Sequence, residues 1–225
     1  MGRSLQERCR QAECRPPQRR HPNSVNKPWS QPAIHYLRMR LFVGIPLADA
    51  VARELAAMVA RLRSPALDRK PPMGGLRWTA PESWHITLQF LGEATLEQCE
   101  CLIARLGEVR GSPVTVQLGE RGFFDRAGVF FADVVVAPGL VALQQFVVAA
   151  TSKCGFVAET RPFHPHITLA RAKGHGRGTD LRDLRGKIRS QPSFTRITAR
   201  EFVLYESHLG PAGAQYEVKA RFGLK

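Results

Sequence analysis

Pro81-Glu82-Ser83-Trp84-His85-Ile86-Thr87-Leu88 and Arg161-Pro162-Phe163-His164-Pro165-His166-Ile167-Thr168-Leu169 end in the same tetrapeptide, His-Ile-Thr-Leu, with the two histidines 81 residues apart. Each segment reads as a strand that follows a proline-marked turn. Side chains at i and i+2 of a strand share a face. His85 and Thr87 therefore point one way, while Ile86 and Leu88 point the other way into a core. His166 and Thr168 repeat the arrangement, backed by Ile167 and Leu169. A duplicated motif strand predicts two similar lobes. If the lobes pack face to face, two imidazoles and two hydroxyls line one cleft.

The rest of the chain fits this frame. Arg40-Leu41-Phe42-Val43-Gly44-Ile45-Pro46-Leu47 reads as a buried strand that begins at Met39. Residues 48–63 read as a helix with Val51, Leu55, Met58, Val59 and Leu62 on one face. A loop marked by Pro71 to Gly75 leads to Leu76–Thr79 and the first motif strand, which runs to Leu91. Thr95 and Gln98 form a capping box that opens a helix carrying Leu96, Cys99, Ile103 and Leu106 on one side. Residues 113–121 and 128–136 read as a hairpin through Gly122 to Ala127. A third helix runs from Gly139 to Cys154, with Gly155 as its stop. After the second motif strand, Lys173 to Thr179 reads as a glycine-rich basic loop. Strands near 194–206 and 214–222 close the chain. Strands alternating irregularly with three helices predict an α+β fold: two antiparallel sheets facing a central cleft, helices outside, with a pseudo-two-fold repeat.

A chain of 225 residues with 44% hydrophobic content can build one substantial domain or two small packed lobes. It contains no apolar run long enough for a membrane-spanning helix and no signal-peptide core. The expectation is a cytoplasmic monomer. The five cysteines, Cys9, Cys14, Cys99, Cys101 and Cys154, form no Cys-x-x-Cys pair. They read as small buried thiols in a reducing compartment, with neither a disulfide framework nor a zinc knuckle. The formal net charge of +14 points to a polyanionic partner. Residues 1–38 hold eight Lys/Arg against two Asp/Glu. Rich in Arg, Gln and Pro, they read as a disordered basic leader to a domain over 39–225. Three readings of the leader compete: a tail that touches RNA, an extension ahead of an ancestral start at Met39, and a transit peptide.

Paired imidazoles suit chemistry at a phosphodiester. Their unperturbed pKa of about 6.5 allows one ring to act as base while the other acts as acid. Water attacking a cyclic phosphate must lose a proton, and the leaving ribose oxygen must gain one. Charge builds on the non-bridging oxygens, where threonine hydroxyls stabilise it. The scheme needs no metal or cofactor, and the usual metal-ligand spacings are lacking. One His-x-Thr on a strand is weak evidence, because it is more often structural. Two identical tetrapeptides at corresponding places favour the functional reading.

Together with Arg77-Trp78, Gln89-Phe90-Leu91-Gly92, Ala170-Arg171 and Leu204-Tyr205-Glu206-Ser207-His208-Leu209-Gly210 through Tyr216, these motifs resemble the two-histidine phosphoesterase superfamily (HxTx motif). Within it they resemble the bacterial RNA 2′,3′-cyclic phosphodiesterases, historically called 2′-5′ RNA ligases. The resemblance covers most of Met39 to Lys225 and omits the leader. It implies a bilobal α+β domain acting on RNA with a 2′,3′-cyclic phosphate end. His85 would protonate the leaving 3′ oxygen and His166 would activate water, giving a 2′-phosphomonoester. The reverse reaction would join RNA ends by a 2′-5′ bond without ATP.

The resemblance also assigns Arg171 to a phosphate contact. By strict alternation Arg171 faces away from His166, so it points inward only if the strand ends or bulges; a solvated arginine is the alternative. Phe90 belongs to the core by strict period. The resemblance places an aromatic there near the substrate base, which requires a bend after Leu88. His164 reads as a loop residue or cleft neighbour. Trp78 and Tyr205 fit cleft lining and core packing equally well. His175 and His208 carry no spacing signal, and His21 and His35 belong to the leader. Two other functions compete: a related enzyme acting on another cyclic phosphate, such as ADP-ribose cyclic phosphate or a cyclic nucleotide, and an idle RNA-binding module.

Overall fold

The computed structural model describes residues 38–63, 75–173, 177–188, 193–210 and 213–225. The leader through residue 37, with Cys9, Cys14, His21 and His35, lies outside the described residues, as do most of the Pro71–Gly75 loop and His175.

Among the described residues, ten strands and four α-helices follow one another as β1 (Met39–Pro46), α1 (Asp49–Arg63), β2 (Leu76–Trp78), β3 (His85–Ala94), α2 (Leu96–Gly107), β4 (Val114–Val116), β5 (Leu118–Phe124), β6 (Val129–Val134), α3 (Pro138–Ser152), β7 (His166–Ala172), α4 (Arg177–Lys187), β8 (Ile197–Ala199), β9 (Glu201–Gly210) and β10 (Gly213–Gly223). They form two four-stranded antiparallel sheets, ordered β10-β9-β1-β3 and β2-β7-β6-β5. Each sheet holds one His-Ile-Thr-Leu strand, as the duplicated motif predicts. A small β4-β8 sheet is an addition. It arises because residues 113–121, expected as one strand, divide at Gln117, and Val114–Val116 pair with Ile197–Ala199 instead of β6.

Both faces of the first sheet are apolar, for different reasons. Along β9, Phe202 and Leu204 join the main core, while Val203 and Tyr205 turn to the opposite face and pack with Phe42 and Tyr216. That second cluster becomes the floor beneath His85.

In α1 the buried residues are Val51, Leu55, Met58, Val59 and Leu62, the stripe read from the sequence. The Thr95/Gln98 capping box is present at the start of α2. The buried stripe of α2 is Cys99, Leu102 and Leu106; Leu96 and Ile103 are exposed, so the face is rotated toward Leu102. After α3, Gly155 adopts φ +86°, the left-handed conformation expected of a helix stop.

Two further expectations are corrected. Cys101 and Cys154 are joined in a disulfide that ties α2 to the chain leaving α3. Cys101 lies two positions beyond Cys99, so it points about 200° around the helix from the core stripe, toward α3. Only Cys99 remains a free buried thiol among the described residues. Second, the segment after Lys173 contains α4, whose core contribution among the described residues is Leu181 and Leu184, three residues apart, too sparse for a helical period. Arg185 anchors this helix, bonding Asp125 at 3.0 Å and lying over the Phe123 ring at 4.5 Å.

Candidate active site

Between the sheets lies a cleft of about 610 Å3 lined by His85, Thr87, His166 and Thr168, the four groups the sequence singled out. The strands present them as alternation requires. In both motifs the histidine and threonine are half-buried, and the isoleucine and leucine are buried.

Beyond each leucine the alternation breaks in the same way. The β1–β3 register passes from Gly44↔Thr87 to Val43↔Gln89, leaving Leu88 unpaired. The β6–β7 register passes from Phe131↔Thr168 to Phe130↔Ala170, leaving Leu169 unpaired. These are β-bulges, which re-aim the residues that follow. Consequently Gln89 and Ala170 are buried. Gln89 accepts a hydrogen bond from the Thr151 hydroxyl at 2.8 Å. Phe90 is turned out of the core, 62% exposed, and lines the cleft. Arg171 likewise lines the cleft. The bend that strict period could not supply is present in both strands. Phe90 and Arg171 stand at equivalent positions, each five residues past its histidine.

The two rings are held alike. His85 Nδ1 lies 2.8 Å from the Ser83 carbonyl, and His166 Nδ1 lies 2.8 Å from the His164 carbonyl. A carbonyl only accepts, so each Nδ1 carries hydrogen and donates. In each neutral ring the free, basic nitrogen is therefore Nε2. His85 packs on Phe42, with ring centroids 4.6 Å apart, and meets Tyr216 edge-on at 4.9 Å. His166 meets Phe124 at 5.0 Å and Phe131 at 5.3 Å.

Burial pulls the pKa of His85 down to about 4, and the charges of His166 and Arg171 add to the effect. His166 is lowered first by burial and then by His164 and Arg171. Asp133 opposes the shift at His166; it faces His166 across the β6–β7 ladder. The carboxylate of Asp133 also bonds the His164 ring at 3.0 Å. His164, expected as a loop residue or cleft neighbour, thus supplies the carbonyl that fixes His166 and is itself anchored by Asp133. Asp133 carried no motif in the sequence. Trp78 lines the cleft, and Tyr205 is buried in the floor.

Gly44 lies opposite Thr87, where a side chain has no room. A Cβ there would approach the Ile86 carbonyl oxygen to 2.9 Å and His85 Cδ2 to 3.4 Å. Gly44→Ala is expected to force β1 from β3 beside His85. The stability cost should be about 1–3 kcal/mol, read as a lower denaturation midpoint, together with loss of turnover. An unaltered midpoint and unaltered activity would show that the strands yield freely.

Comparison with known proteins gives one consistent answer. The LigT-like phosphoesterase family matches residues 45–131 and 134–216. The chain is 30% identical over 182 residues to an RNA 2′,3′-cyclic phosphodiesterase of Archaeoglobus fulgidus, covering 80% of this chain and 97% of that one. It is 26% identical over 193 residues to the Bacillus subtilis protein of the same name, covering 84% and 98%. A crystal structure of E. coli LigT complexed with 3′-AMP superposes with a TM-score of 0.66 at 26% identity, covering 84% of this chain and 99% of that one. Paired motif strands, paired bulges and matches spanning both lobes have one reading: the chain belongs to the LigT-like phosphoesterase family.

Proposed function

We propose that the cleft hydrolyses the 2′,3′-cyclic phosphate at an RNA end to a 2′-phosphomonoester, with His85 and His166 as the acid/base pair. The observation that carries this reading is the matched anchoring of both Nδ1 atoms, which leaves two Nε2 atoms for one cleft. The names of the relatives support the same substrate.

In this reaction His166 Nε2 takes a proton from water, whose oxygen forms the new bond to phosphorus. The bond from phosphorus to the 3′ oxygen breaks. His85 Nε2–H delivers a proton to that oxygen, leaving a 3′ hydroxyl and a 2′ phosphate. The Thr87 and Thr168 hydroxyls make no hydrogen bond within the described residues, so they are free for the non-bridging oxygens. Arg171 neutralises the phosphate charge, and Phe90 offers a stacking surface to the terminal base. With an RNA 5′ hydroxyl in place of water, the same proton transfers would form a bond from its oxygen to phosphorus, release the 3′ oxygen as a hydroxyl and join the ends by a 2′-5′ bond without ATP.

The family resemblance is what assigns donor and acceptor. The charges of the empty cleft favour a first proton on His166, where Asp133 stands, and a bound phosphate anion raises both rings. We further assign catalysis to a monomeric domain over 39–225, with residues 1–38 as a separate basic leader. No helix among the described residues is long and apolar enough to cross a membrane. An RNA substrate favours the cytoplasm, where the Cys101–Cys154 bond would have to persist against a reducing thiol pool.

The test is incubation with an oligonucleotide ending in a 2′,3′-cyclic phosphate, with and without EDTA, followed by identification of the product end. Conversion to a 2′ phosphate in both is expected. Persistence of the cyclic end would refute the reading. Activity abolished by chelation would replace paired-imidazole catalysis with metal chemistry.

A further inference from the structure

Resting on the RNA-end reading, we propose that Arg77, with Arg40 across the cleft, forms a second phosphate subsite for the phosphodiester 5′ of the terminal nucleotide. The favoured substrate is then an oligonucleotide instead of a mononucleoside cyclic phosphate.

The argument begins with register. Arg77 on β2 is paired directly with Arg171 on β7. Directly opposed residues of an antiparallel pair put their side chains on one face, roughly 5 Å apart. Like charges so placed repel unless an anion lies between or over them. Neither arginine has a carboxylate partner within the described residues. Both line the cleft. Arg171 serves the reacting phosphate, and one phosphate leaves the neighbouring guanidinium unmatched. Adjacent side chains on a sheet are spaced much like successive phosphates on an extended strand, so a second phosphate is the ligand that fits.

Arg77 also runs alongside the hairpin of the other sheet. A Cβ built on Gly213 would lie 3.5 Å from Arg77 Cδ. The arginine stem therefore runs close to the bare backbone of β10, with its charged head left over. On the other sheet, Arg40 of β1 lines the same cleft. Its cross-strand neighbour is Glu93, yet the carboxylate of Glu93 pairs with Arg38 at 3.5 Å. Arg40 thus keeps its charge unpaired among the described residues. Leu209, 69% exposed, adds an apolar surface on the hairpin side of the same cleft. A strand leaving the reacting end would pass between guanidinium groups on both rims.

The experiment compares kcat/KM for a mononucleoside 2′,3′-cyclic phosphate and a trinucleotide with the same end. It uses the full chain and the variants Arg77→Ala, Arg77→Lys and Arg40→Ala. The wild type is expected to prefer the trinucleotide. Arg77→Ala should lose about 10-fold more on the trinucleotide than on the mononucleoside, and Arg77→Lys should recover part of that loss. The salt dependence of log kcat/KM for the trinucleotide should become shallower by about one unit of slope in Arg77→Ala. Equal losses on both substrates, or a wild type indifferent to length, would overturn the subsite. A wild type that hydrolyses neither substrate would instead defeat the RNA-end reading, and the subsite with it.

Discussion

Replacing His85 or His166 with alanine is expected to lower turnover of a cyclic-phosphate oligonucleotide by about 10²–10⁴-fold each. Both rings act in one proton-transfer sequence, so the double variant should be scarcely worse than the poorer single variant. Each ring sits in the cleft away from the main core, which limits damage to the fold; thermal denaturation should confirm that. Full activity in either variant would remove paired-imidazole catalysis. The residual pH profiles separate the roles. Loss of the base removes the acid limb of the profile, and loss of the acid removes the basic limb. If His166 is the base, His166→Ala loses the acid limb; the opposite pattern exchanges the two assignments.

The wild-type profile has a predictable position. A bell-shaped kcat/KM reports the free protein's groups. Burial lowers both imidazoles, His85 to about 4. The maximum of kcat/KM should therefore fall on the acid side of pH 6.5, the ordinary histidine value. The profile of kcat should peak at higher pH, because bound phosphate favours the imidazolium form of each ring. A flat profile between about pH 5 and 8 would contradict both statements unless product release limits the rate.

Arg171→Ala carries the second large effect. Removing a charged group from the developing phosphate charge should cost about 10²–10³-fold in kcat. Lysine should restore only part, because it loses the planar fork. Independently of rate, Arg171 depresses the pKa of both His85 and His166. Its removal should move the acid limb of kcat/KM upward in pH. The sign follows from charge: a nearby cation disfavours imidazolium, and its loss lets each ring protonate at higher pH. Unchanged kcat would show that Arg171 is solvated, the alternative the sequence left open.

The sequence made the two lobes legible because one tetrapeptide occurs twice with its apolar partners in phase. The α1 stripe and the Thr95 cap were legible for the same reason: a strong period and a complete motif. The bulges at Leu88 and Leu169 were not. An extra residue in a ladder leaves no compositional mark, and its effect appears only in the register with β1 and β6. Phe90 and Arg171 were therefore reached through resemblance, against strict alternation. The helix α4 escaped because two leucines among arginines and glycines give no sustained period. The Cys101–Cys154 bond escaped because pairing depends on how α2 and α3 cross. Asp133 gained its role only when β6 lay beside β7.

The identical anchoring of the two rings has a stereochemical consequence. Two rings anchored so alike give the reaction no handedness through their geometry, since a ribose seated back to front would meet the same nitrogen atoms. Regioselectivity must then reside in the unlike neighbours, Phe90 past one motif, Arg171 past the other, and Asp133 beside His166 alone. Whether the 2′ or the 3′ oxygen departs becomes a question of how the nucleotide is seated, and exchanging Phe90 and Arg171 would be the way to ask it.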